Sequence, residues 1–207
     1  GQITFWVTPK INAAGRLGDA SRAVKLLKSS NPYHALEMAQ KLDKENEKRK
    51  LITQTMEQES MLMVNKELNI DDKKSIVLYK EGWSSGIIGI VASRIKEIYN
   101  RPTVIISIEN GVGKGSCRSI PKFDIVDALK SCKDLLDGFG GHPMAAGLTI
   151  NSNNLNRFIE RFEKLISTKT GLKPFITTEL TSETQVSVGT IISFLFIIVT
   201  LNDIFYK

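Results

Sequence analysis

Residues 75–108 set the tightest limit on what this chain can fold into. Ser75-Ile76-Val77-Leu78-Tyr79 is an apolar run of strand length, and Glu81-Gly82-Trp83-Ser84-Ser85-Gly86 is a turn. Residues 87–99 then carry Ile87, Ile88, Ile90, Val91, Ile95 and Ile98 as the buried side of a helix, and residues 102–108 form a second apolar strand. Two strands joined by a helix cannot pair as a hairpin. The helix is a crossover, the strands are parallel, and the sheet belongs to an α/β fold with a right-handed connection. Gly111-Val112-Gly113 turns the chain so that residues 114–120 return as a third strand, and Leu148-Thr149-Ile150 supplies another. Asp124 caps a helix expected to reach Asp137, and residues 151–166 give a further amphipathic helix with Leu155, Phe158, Ile159, Phe162 and Leu165 on one side.

Upstream the texture differs. Ile3-Thr4-Phe5-Trp6-Val7 reads as a strand bounded by Pro9, and a chain that opens inside a strand is expected to be a fragment of something longer. Residues 10–20 read as a loop of small residues and glycines around Arg16, and Asp19 or Ser21 caps a short helix through Leu26-Leu27. Residues 33–68 contain no glycine or proline. Leu36, Ala39, Leu42, Asn46, Ile52, Met56 and Met63 recur at roughly helical spacing, which predicts one long helix or two collinear ones. Its apolar stripe is thin and its charges are of both signs, with Glu45 placed to pair with Arg49, so it reads as a solvated connecting helix between two lobes rather than a nucleic-acid arm. Residues 69–74 are a polar break and a domain boundary.

Composition narrows the chemistry. Over 207 residues, hydrophobic content of 42% and charged content of 24% are globular values. A net charge of +6 favours a polyanionic partner. Cys117 and Cys132 make neither a disulfide framework nor a metal-ligand pattern, and no signal peptide precedes Gly1, so a reducing cytoplasm fits. Residues 191–199 are strongly apolar, but Thr184, Gln185, Ser187 and Thr190 occupy the run before them; a buried strand or helix in an incomplete terminal domain suits this better than a membrane span.

Chemistry concentrates at three places. Residues 138–147 hold four glycines, Pro143 and one of the chain's two histidines; Gly140-Gly141 can take backbone angles closed to other residues, and the expected turn presents His142. On the third strand, Ser116, Arg118 and Ile120 share one face with Lys114, opposite Cys117 and Ser119, so a hydroxyl and a guanidinium make a compact anion site. Gly113 and Gly115 are expected to thin that strand for an approaching ligand. Arg16 is a third cation beside glycine.

Taken together, three blocks resemble one family. They are Pro9-Lys10-Ile11-Asn12-Ala13-Ala14-Gly15-Arg16-Leu17-Gly18; Gly82-Trp83 with residues 86–94; and Lys114-Gly115-Ser116-Cys117-Arg118-Ser119 followed by Phe139-Gly140-Gly141-His142. Their order and spacing over about residues 3–165 resemble the RecJ family, single-strand-specific DNA exonucleases of the DHH phosphoesterase superfamily. The resemblance implies the end of a DHH catalytic domain over 1–32, a connecting helix over 33–70, a DHH-associated α/β domain with a mixed sheet over 71–168, and an atypical or truncated terminal segment over 169–207. It implies a 5′ to 3′ exonuclease of DNA repair and recombination that uses Mn2+ or Mg2+ in the intact enzyme, with single-stranded DNA as partner and a DHH domain, absent here, as its other half.

By the same resemblance Arg16 points into the cleft, Ser116 and Arg118 hold the strand's terminal phosphate, and Gly140, Gly141 and His142 close on the substrate. The chain contains no Asp-His-His sequence, and with only His34 and His142 it is expected to bind no metal itself. Ser84 stands where relatives often carry histidine or asparagine, and past about Pro174 no match to the OB-fold that often follows is evident. Two other readings are a phosphodiesterase of the same superfamily acting on oligonucleotides or cyclic dinucleotides, and a non-catalytic nucleic-acid-binding module.

Overall fold

The computed structural model describes residues 7–67 and 73–169, all within one compact unit. The expected strand at 3–7 is outside this range except for Val7, which is the N-cap of the first helix; the tail at 169–207 is outside it apart from the last helical residue.

Helix α1 (Thr8–Leu17) begins with Pro9 in its first turn, where a missing N–H costs nothing. Arg16 is therefore on the last turn of a helix and not in a loop. Helix α2 (Ser21–Lys28) follows, with the Asp19 carboxylate accepting from the Ser21 amide at 2.8 Å. Asn31 Oδ1 accepts from the amides of Tyr33 and His34 and so starts α3 (Pro32–Glu67), one continuous helix of 36 residues.

The buried face of α3 runs through Leu42, Asn46, Thr53, Met56, Ser60 and Val64. Thr53 and Ser60 can be buried because their hydroxyls donate back to the carbonyls of Arg49 and Met56 at 2.8 and 2.7 Å. The helix is not simply solvated. Its first half packs Leu42 against Ala14 and Ala23, and its second half packs Met56 and Val64 into the core of the α/β domain. Glu45 pairs with Arg22 across to α2 instead of with Arg49, which bonds Asn46.

The sheet contains β1 (Ile76–Glu81), β2 (Thr103–Glu109), β3 (Val112–Arg118), β4 (Gly138–His142) and β5 (Ala145–Asn151) in the order β1-β2-β3-β5-β4. Helix α4 (Ile88–Tyr99) crosses between the parallel pair β1 and β2, and every other pairing is antiparallel, so the sheet is mixed. Period-2 alternation on β2 divides its side chains between two cores. Ile105 joins Ile76, Leu78, Val91 and Ile95 under α3 and α4. Val104, Ile106 and Ile108 face the other way, toward α5 (Ile125–Lys130) and α6 (Leu155–Lys169). On α6, Phe158 and Phe162 are fully buried with ring centroids 5.4 Å apart, each burial contributing roughly 1.5–3 kcal/mol.

Three local expectations change. The helix capped by Asp124 ends at Lys130, and a 3-10 turn at Lys133–Leu135 carries the chain on. Strand β3 stops at Arg118, after which Ile120 turns into the core instead of staying on the Arg118 face. The glycine-rich stretch is not a turn but a hairpin: β4 is an edge strand paired along β5, and only Pro143-Met144 turns.

Candidate phosphate-binding site

Directly opposed residues of an antiparallel pair share a face of the sheet, so the register builds the site. Arg118 is opposite Ala145, which is opposite His142; Ser116 is opposite Gly147, which is opposite Gly140; Lys114 is opposite Thr149, which is opposite Gly138. All nine lie on the face that carries α4. Helix α4 covers β2 and reaches β3, but over β5 and β4 the face is open, and Gly138, Gly140, Gly147 and His142 are exposed.

At the edge of the helix, Arg118 is fixed from three sides. Its Nε donates to Ser93 Oγ at 3.0 Å, and its Nη1 donates to Ser116 Oγ at 3.0 Å and to the Cys117 carbonyl at 2.8 Å. Gly89, in the first turn of α4, makes this possible: a Cβ there would stand 3.0 Å from Arg118 Nη2 and 3.2 Å from Ser116 Oγ. Arg16 arrives from α1, its Nη1 donating to the Gly86 carbonyl at 3.2 Å. Gly86 also has no room for a Cβ, which would overlap the Arg16 carbonyl, so the end of α1 is seated on the start of α4.

The electrostatics follow from these positions. Burial lowers the pKa of the Arg118 guanidinium from its ordinary value, and the positive charge of Arg16 lowers it further. The Arg118 guanidinium stays charged at neutral pH. The N-terminus of α4, a 12-residue helix, adds its positive dipole end to the same corner. Among the described residues neither Arg16 nor Arg118 has a carboxylate partner, although seven other ion pairs occur there. Cys117 is on the opposite face, fully buried, its thiol pushed up to about 12 by desolvation; it is packing, not chemistry.

Of the residues singled out from the sequence, Ser116 and Arg118 touch, Arg16 is brought to their corner, and His142 and Gly140 lie on the same sheet face two strands away. Gly141 faces the other side; its φ of +145° and the 2.5 Å distance its Cβ would have from the Ala145 carbonyl and Ala146 Cα make it a requirement of the hairpin. Gly113 and Gly115 do not open the strand to a ligand. They face the core, where a Cβ would stand 2.8 Å from Ile106 and Leu148 respectively. Gly89 and Ser93 as partners of Arg118 were missed in the sequence; their spacing of four puts them on one helix face, but nothing local ties that face to Arg118.

Among the described residues no group of three or more His, Cys, Asp or Glu could hold a metal ion. No helix there is long and apolar enough to cross a membrane.

Residues 72–168 match the DHHA1 domain model. The chain is 37% identical over 165 residues to the single-stranded-DNA-specific exonuclease RecJ of Bacillus subtilis, covering 79% of this chain and 21% of that protein. It is 38% identical over 172 residues to the Escherichia coli protein of the same name, covering 80% and 30%. The crystal structure of Thermus thermophilus RecJ in complex with Mg2+ superposes with a TM-score of 0.74 at 32% identity, covering 84% of this chain and 26% of that one. A structure of exonuclease RecJ bound to manganese gives 0.72 at 32% identity, covering 80% and 41%. The chain thus spans between a fifth and a third of the length of these two curated relatives.

Proposed function

From the match of residues 72–168 to the DHHA1 domain model and the likeness of the chain to RecJ exonucleases in sequence and fold, we propose that this chain is the strand-gripping part of a single-stranded-DNA exonuclease of DNA repair and recombination. In this reading residues 1–32 close a DHH catalytic domain, 33–70 connect it to the DHHA1 domain, and the cleft between the two takes the 5′ end of a strand. The terminal phosphate sits at Ser116 and Arg118 with Arg16 beside it, and the strand continues over the open sheet face that also carries Gly140 and His142.

The observation that carries this is the convergence of two guanidinia and a helix N-terminus with no acid among the described residues to balance them. Such a corner is costly when empty and is stabilised by a phosphate, whose oxygens accept charge-assisted hydrogen bonds from a guanidinium and a hydroxyl together. These contacts position a strand without reading its sequence.

Hydrolysis is assigned to the other half of the cleft. Relatives have been solved with Mg2+ and with Mn2+, and the described residues offer no ligand set for such an ion. The chain alone is expected to bind single-stranded DNA, more weakly as salt rises, and to release no nucleotides in Mn2+. Fluorescence anisotropy with a labelled oligonucleotide and a nucleotide-release assay on the same preparation test both halves. Manganese-dependent release, or binding indifferent to salt, contradicts the assignment.

A further inference from the structure

Lys114 is the charged side chain of the open sheet face that the phosphate corner does not use. It lies on β3 four residues before Arg118 and two before Ser116, so Lys114, Ser116 and Arg118 project from the same side of one strand. It is exposed, and it makes no ion pair or hydrogen bond among the described residues. By contrast Lys10, Lys41, Lys50 and Lys80 are each paired with an acid.

Its surroundings are those of a bed. Lys114, Thr149, Gly138, Gly140 and Gly147 border a shallow depression contiguous with the Ser116 row. A Cβ at Gly138 or Gly140 would meet nothing within 4 Å among the described residues, so none of them excludes a side chain there, and the open floor lies beside a cation with no partner among them. Two residues along a strand advance about 7 Å, which is close to the phosphate repeat of an extended single strand of nucleic acid.

We propose that Lys114 holds a second backbone phosphate, one nucleotide along from the terminal phosphate at Ser116 and Arg118, so that β3 sets the register of the strand. Lys114 is a positioning residue in this account. Its flexible ammonium tolerates any sugar and base, whereas the fixed Arg118 fork selects the terminal group. The inference rests on the proposed phosphate corner and adds to it a direction, along β3 from Arg118 toward Lys114.

The test compares two probes on the 207-residue chain, a 5′-phosphorylated thymidine mononucleotide and a 5′-phosphorylated thymidine trinucleotide, with Lys114→Ala, Lys114→Arg and Arg118→Ala. Lys114→Ala is expected to weaken the trinucleotide roughly 3- to 10-fold, lower the slope of log affinity against log salt by about one, and leave the mononucleotide unchanged. Lys114→Arg restores the trinucleotide, and Arg118→Ala weakens both probes. If Lys114→Ala weakens both probes alike or neither, the second-phosphate role is wrong while the corner stands. If Arg118→Ala spares both probes, or the unsubstituted chain binds neither, the corner itself is wrong and this inference fails with it.

Discussion

Arg118 and Gly141 show how differently two residues of one motif can be constrained. Arg118 is held by Ser93, Ser116 and the Cys117 carbonyl, so its side chain is ordered before any ligand arrives. The pairing of Ser116 with Arg118 was legible in the sequence because strand alternation alone puts them on one face. Ser93 was not legible, since it comes from a helix 25 positions away and no local pattern links the two. Gly140-Gly141 read as a pair in the sequence, yet the two differ in the fold. Gly141→Ala forces a Cβ against the Ala145 carbonyl in a backbone conformation with positive φ, and is expected to destabilise the domain by about 1–3 kcal/mol. Gly140→Ala meets nothing within 4 Å and is expected to leave the melting temperature unchanged or slightly raised. Thermal unfolding of the two variants side by side checks this; equal losses would mean that the hairpin register is wrong.

Among the elements, α3 and the β4–β5 hairpin were read least completely. The length of α3 follows from 36 residues in which only the first is a proline and none is a glycine, but its role does not. Charged residues crowd its middle, over 41–50, and its buried face includes two small polar groups, Thr53 and Ser60, that a hydrophobicity pattern counts as surface. What fastens it is Glu59, which accepts from Trp83 Nε1 at 2.7 Å and pairs with Lys80 at 2.9 Å. These two donors hold the Glu59 carboxyl below the ordinary glutamate value of 4.5. A depressed folded pKa gives stability that is present above 4.5 and is lost as pH falls through the lower folded value. Glu59→Gln is therefore expected to reduce stability by about 1–2 kcal/mol at pH 7 and to flatten its dependence on pH below 4.5, measured by urea unfolding across that range. An unchanged acid limb would remove Glu59 from this role. The hairpin was missed for a related reason. Gly138-Phe139-Gly140-Gly141-His142 has one strand former, Phe139, among three glycines, and it becomes a strand because β5 offers it a ladder.

On the scale of the whole molecule, the crossover at 75–108 was enough to specify parallel pairing, and the antiparallel return of β3 followed from the short connection after β2, whereas β3 and β5 pair across residues 119–144. The long helix links two packed clusters, one with α1 and α2 and one with the α/β domain. The open half of the sheet lies beside the corner where α1, α4 and β3 meet, so a strand bound there would touch both α1 and the β4–β5 hairpin. The chain covers a fifth to a third of two curated relatives, and in the proposed reading it contributes grip and register to a catalytic site outside the described residues.

The most direct test is the preference of the chain for a 5′-phosphorylated over a 5′-hydroxyl single strand of the same sequence, measured at fixed salt with and without Arg118→Ala. Hydrogen bonds between charged groups of about 1.5–3 kcal/mol predict that the unsubstituted chain favours the phosphorylated strand by roughly 10- to 100-fold and that Arg118→Ala removes the preference. A preference that survives the substitution unchanged contradicts the account.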